Sequence, residues 1–157
     1  MDDASAKRSA EEYLAARLSE EAQEREEQLN LEAAIALGPR VWSRLVDTTI
    51  RQCRDWNSVT NEQTLTCKET ALGDLRILIE GKPHQIVVHY DSPRRLVIIK
   101  NTARPENEPD TILRIEGYLA DGQRDARLVR EKEPVNVDMM ILGHIRVLAG
   151  LSRRADF

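Results

Sequence analysis

Aromatic side chains are scarce: one Phe, two Trp and three Tyr in 157 residues. Few rings means few platforms on which bases or sugars could stack, and a core assembled from Leu, Ile, Val and Ala instead. Two cysteines are too few for a disulfide framework. Three histidines, at 84, 89 and 144, leave little for a metal to hold. His84 and His89 fall at odd spacing in one expected strand and point to opposite faces, while His144 sits on an apolar helix. Cys-x-x-Cys, His-x-His and His-Glu-x-x-His spacings are all missing, so neither a metal nor any other cofactor is expected. The seven glycines stand singly, which excludes a phosphate-cradling loop. No serine lies in a Gly-x-Ser-x-Gly elbow. The most apolar run, residues 139–151, is short and contains His144 and Arg146, so it cannot span a bilayer. The first residues lack a basic stretch followed by an apolar one, the pattern of an export signal. These absences point to a cytoplasmic protein with no membrane association. Its Cys53 and Cys67 are then expected as reduced thiols, with a bridge between a helix end and a strand as the alternative.

What the chain has in quantity is charge, 32% of its residues, unevenly spread. Residues 1–37 carry ten acids against four bases, whereas the remainder is close to neutral. An acidic segment on a near-neutral body argues against nucleic acid as a partner, since a phosphate backbone attracts a basic surface. Ser9 and Glu12 have the spacing of a capping box, and helix-favouring residues follow. A first helix is therefore expected over 10–37, with Leu14, Leu18, Ala22, Leu29, Ala33 and Ala36 as a thin apolar stripe broken by Arg25. Such a helix has too little apolar surface for a core and should project as an arm. Gly38-Pro39 is expected to end it, with Pro39 opening a second helix over 39–55.

That second helix is strongly two-sided. Val41, Trp42, Leu45, Val46, Thr49, Ile50 and Cys53 share one face, with Trp42 as the expected anchor. Arg40, Arg44, Arg51 and Arg54 share the opposite face and form a candidate docking surface for an anionic partner, the acidic arm foremost. The plain alternative is a solvated helix face.

From residue 64 the apolar period changes from helical to alternating. Six strands are expected, over 64–70, 74–80, 84–90, 95–101, 111–119 and 125–131, separated by turn formers at Gly73, Gly81-Lys82-Pro83, Asp91-Ser92-Pro93 and Asp121-Gly122. The short connections require an antiparallel meander. Leu75, Ile77, Ile79, Ile86, Val88, Tyr90, Leu113, Ile115 and Leu119 are assigned to its inner face. Residues 96–99 are apolar on both faces, so this strand should be central and covered on both sides. Asn136 caps a last helix over 137–152, apolar except for a strip of Met139, Gly143, Arg146, Gly150 and Arg153.

The fold class expected is thus α+β: two N-terminal helices, a six-stranded antiparallel meander and a C-terminal helix packed on the sheet. The division expected is an acidic arm, 1–37, and a body, 38–157, that folds without it. Functionally this composition suits a small non-enzymatic interaction or adaptor protein that forms homo-oligomers through the arm and the uncovered sheet face, with the arm also able to take a protein partner. The alternative is a carrier of small hydrophobic ligands, with a cavity between a curled sheet and the terminal helix. An enzyme whose site is not coded in a motif is the remaining option.

Overall fold

A computed structural model of the chain describes residues 3–151. Helix α1 spans Asp3–Val59. Seven strands follow: β1 (Leu65–Glu69), β2 (Leu75–Ile79), β3 (Gln85–Asp91), β4 (Leu96–Asn101), β5 (Thr111–Ala120), β6 (Gln123–Arg130) and β7 (Glu133–Pro134). Helix α2, Val137–Leu148, comes last. The strands form one sheet in chain order, every neighbouring pair antiparallel. The class is α+β and the sheet is a meander, as the short turns require.

In the order of elements, two expectations need correction. The first is the split of the N-terminal helix. Pro39 lies inside α1, and the helix continues through it. A proline normally forces the preceding residue out of helical geometry by clashing with its Cβ, and Gly38 has no Cβ to clash. The donor that Pro39 lacks would have served the carbonyl of Ile35, whose side chain is exposed at a face open to water. Gly38 has a further reason to be glycine: a Cβ there would lie 2.7 Å from the Tyr90 hydroxyl. The dipeptide that reads as a helix stop is a place where a strand side chain presses onto the helix.

The second correction is the seventh strand. Glu131 and Lys132 both have positive φ, 49° and 72°, and turn the chain back into β7. Two successive residues of this kind make the tight hairpin turn that suits sheet twist. Asp121-Gly122 makes the same turn between β5 and β6, there with the expected glycine.

Alternation decides which face of the sheet is covered. Leu75, Ile77, Ile79, Ile86, Val88, Val97, Ile99, Leu113 and Ile115 are inward and buried. Leu119 shares their parity but lies beyond the packed region and is 56% exposed, contrary to its inner-face assignment. Both helices cover this one face. Helix α1 crosses it diagonally: a Cβ at Gly117 of β5 would meet Asn30, Trp42 stacks on Tyr90 of β3, and Asn57 bonds Leu65 of β1. The other face carries Leu96 and Ile98 half-buried and Ile112 exposed, with no helix of the described residues over it. The expected cover on both sides of β4 is therefore not supplied by the helices of the described residues.

Helix α2 starts as expected, with the Asn136 side chain accepting from the Met139 N–H at 3.1 Å. It ends at Leu148, and Gly150 takes the left-handed conformation, φ 79°, that stops a helix. Gly143 is buried, not part of an exposed strip. Ser152 and Arg153, the expected helix end and the last residue of that strip, lie outside the described residues.

Candidate functional site

The chemistry-bearing side chains come first. His144 is fully buried on α2. Its Nδ1 lies 3.3 Å from Asn101 Nδ2, and its Nε2 lies 3.3 Å from Thr111 Oγ1. Asn101 Nδ2 can only donate, so Nδ1 accepts and Nε2 carries the proton. The same amide donates to the His144 carbonyl at 3.1 Å. Burial, with the positive charges of Arg104 and Arg130, pushes the imidazole pKa down to about 4. His144 is thus a neutral ring that ties α2 to β4 and β5. His84 lies just before β3 and is exposed, and on β3 His89 Nδ1 meets Asp74 Oδ1 at 2.6 Å. Among the described residues, no three of His, Cys, Asp and Glu converge so as to hold a metal ion.

The four arginines singled out by spacing all lie on α1 and are exposed. Arg51 forms an ion pair with Asp138 in the first turn of α2, and Gln52 Nε2 reaches the same carboxylate at 3.4 Å. Arg51 therefore serves as an interhelical tie. Arg44 lines a cleft of about 280 Å³, with Val41, Leu45, Tyr118 and Leu128 among its walls. Arg40 and Arg54 face solvent at either end of the row. The acid of the arm that docks onto the body does not use these four residues.

It uses Arg124, at the start of β6. One guanidinium nitrogen donates to both oxygens of Glu26, at 2.7 and 2.8 Å, and the other donates to Asn30 Oδ1 at 2.6 Å. Beneath this clamp, helix and strand backbones nearly touch: a Cβ on Gly117 would lie 2.1 Å from the Asn30 carbonyl oxygen. A glycine at an inward strand position, in the series Leu113, Ile115, Gly117, is a visible sign of close backbone approach. Arg124 had no comparable signal, because its partners lie more than ninety residues away.

N-terminal to this clamp the helix leaves the body. Every residue from 4 to 29 is exposed, with Tyr13, Leu14 and Leu18 at 65%, 55% and 65%. Leu14, Leu18, Ala22 and Leu29 fall within roughly 80° of one another at about 100° per residue. This stripe sits about 100° round the helix from Asn30, which docks. Pairs one turn apart support the exposed length, including Arg8–Glu12 at 4.0 Å and Arg17–Glu21 at 3.4 Å. No helix among the described residues is long and apolar enough to cross a membrane.

Set against family models, curated proteins and solved structures, the chain matches none. The reading of its function rests on its own geometry.

Proposed function

We propose that this is a small cytoplasmic, non-enzymatic interaction protein that pairs with a second copy of itself through the projecting part of α1. The observation that carries this reading is the exposed stripe of Leu14, Leu18, Ala22 and Leu29 on a helix held clear of the body. Apolar side chains repeated on one side of an otherwise polar helix gain most by packing on another helix.

Charge selects the partner and its direction. Residues 3–17 carry three acids (Asp3, Glu11, Glu12) and three bases (Lys7, Arg8, Arg17). Residues 18–29 carry five acids (Glu20, Glu21, Glu24, Glu26, Glu27) against Arg25 alone. Parallel arms would set two strongly acidic halves side by side. Antiparallel arms set the acidic half of each against the half with the bases, so a second copy fits head to tail. The compositional boundary at 37/38 divides an acidic segment from the body, and the length that meets the partner is its outer part, 3–29. The arginine row of Arg40, Arg44 and Arg54 is assigned a secondary role, as a cationic contact surface for acidic groups once copies are paired.

The carrier alternative draws its support from the cleft beside Arg44. At about 280 Å³ that cleft is at the small end of ligand sites. Fully buried side chains, such as Leu45, Ile77, Ile99, Ile115 and Ile145, occupy the space between sheet and helices. The interaction reading is therefore preferred.

Sedimentation equilibrium of the full chain tests it. Dimer is expected at micromolar concentration, and Leu14→Glu with Leu18→Glu should return the chain to monomer with the thermal midpoint of the dissociated wild type. A wild-type chain that stays monomeric across the accessible concentration range would overturn the proposal.

A further inference from the structure

The far end of α1 meets β1 at two adjacent rungs. In the first, the Asn57 carboxamide behaves like a peptide group. Its Nδ2 donates to the Leu65 carbonyl at 2.8 Å, and its Oδ1 accepts from the Leu65 N–H at 2.8 Å. The loop between them is held by Trp56 Nε1, which donates to the Gln63 carbonyl at 3.0 Å.

The second rung follows from the first. Cys53 lies one helical turn before Asn57, on the same side of α1. Cys67 lies two residues after Leu65, on the same side of β1; their strand partners Ile77 and Ile79 are both inward. Four residues of helix advance about 6 Å, and two residues of strand advance about 6.6 Å. Because the two elements run in opposite directions here, bonding Asn57 to Leu65 sets Cys53 opposite Cys67. Across this joint the two free thiols are close enough to act on each other's ionisation. Cys53 is buried in the core, while Cys67 is only half-buried.

We propose that Cys53 and Cys67 are a site of reversible oxidation that reacts with small disulfides of the glutathione class and closes a bridge across the α1–β1 joint. Cys67 is the attacking sulfur. A hydrogen bond from Cys53 holds its thiol below the ordinary range and favours the thiolate. Cys53 is pushed the other way, by donating that bond, by burial and by the charge on Cys67.

The Cys67 thiol releases its proton and the thiolate attacks one sulfur of oxidised glutathione. The S–S bond breaks, and the departing glutathione thiolate takes up that proton. Cys67 is now neutral, so its charge no longer opposes ionisation of Cys53. Cys53 loses its proton and attacks the Cys67 sulfur, and the second glutathione leaves as a thiolate that takes up this proton. Two protein thiols are oxidised to one disulfide and one glutathione disulfide is reduced to two thiols. The site is independent of the arm and of the dimer proposal.

The test uses the full chain incubated with excess oxidised glutathione. Expected are loss of both maleimide-reactive thiols, a monomer mass lower by two hydrogens, and a peptide map linking Cys53 to Cys67. A bridge closing so short a loop should also raise the thermal midpoint by about 5–10 °C, reversed by dithiothreitol. C53S should stop at a glutathione adduct on Cys67, and C67S should leave Cys53 unmodified. Should either variant fail to fold, the wild-type peptide map alone decides. Both thiols still reactive in the unfolded product, a lasting adduct on wild-type Cys67, or a bridge between two chains would each overturn the proposal.

Discussion

Residues 4–25 and 30–59 of α1 belong to one uninterrupted helix and have opposite reasons for being helical. The outer length is exposed at every residue. It is built from Ala, Glu, Leu and Arg, which lose little on entering a helix, and is supported by pairs such as Arg17–Glu21. Each such pair contributes only about 0.2–0.5 kcal/mol, too little to nucleate a helix. Nucleation is supplied by the inner length, which buries Ala33, Ala34, Val41, Leu45, Val46, Thr49 and Cys53 on the sheet. From that docked segment the outer turns need only propagate, one hydrogen bond per residue added. The comparison teaches that an exposed helix can be specified by what holds its other end.

The largest expected difference is between equivalent leucines in the two lengths. Leu45→Ala should cost about 2–5 kcal/mol, because it empties a fully packed site. Leu18→Ala should stay within about 0.5 kcal/mol in the dissociated chain. Urea unfolding of both variants at low protein concentration measures this contrast, and equal losses would show that the arm packs on the body after all.

A second difference appears on acidification, since only the body holds a buried imidazole. The folded-state pKa of His144 is about 4, below the ordinary 6.5, so the folded chain binds fewer protons in that interval. Stability from this residue is full above about pH 6.5, falls as pH drops toward 4, and levels off below it. The span is about 3 kcal/mol from a shift of this size. Unfolding free energies at pH 7 and pH 4.5, for wild type and His144→Gln, should show the variant losing less on acidification. Parallel pH curves for the two proteins would mean that the ring does titrate freely.

The boundary between the two lengths can be probed at the clamp. Gly117→Ala should cost about 1–3 kcal/mol, since the new methyl would overlap the Asn30 carbonyl and push α1 off β5. Hydrogen exchange should then spread from the arm into residues near Asn30. Protection unchanged there would place the boundary elsewhere.

Smallest of all should be the effect of changing Arg40, Arg44 and Arg54 together to Gln, within about 1 kcal/mol in total for exposed charges. Arg51 is left out because of its tie to Asp138. A large loss of stability would show that the row packs on the body as the inner face does.

Legibility followed the range of the interactions. The turns at Gly73, Gly81 and Asp121-Gly122 were readable because the backbone conformation there favours glycine locally. The turn into β7 was not, because Glu131 and Lys132 adopt the same conformation without that residue cue. Trp42 was readable as a contact to the sheet, yet it proves half-buried and stacked on Tyr90, with ring centroids 5.5 Å apart. Trp56, one residue beyond the helix that spacing ends at 55, is in the last turns of α1 and packs at the edge of the core. The arginine row was visible as a pattern, but the role of Arg51 depends on Asp138, eighty-seven residues away.

Sequence by itself determined the α+β class, the antiparallel order of the first six strands and the inward set Leu75, Ile77, Ile86, Val88, Leu113 and Ile115. Each of these follows from periodicity and turn chemistry within a few residues. Tertiary structure alone decided that α1 runs unbroken through Gly38-Pro39, that Arg124 holds the arm at Glu26 and Asn30, and that Cys53 faces Cys67. Each of those depends on two backbones approaching from distant parts of the chain. Local preference is silent there, because a glycine under a tyrosine hydroxyl and a glycine ending a helix are the same residue until the fold brings the tyrosine near.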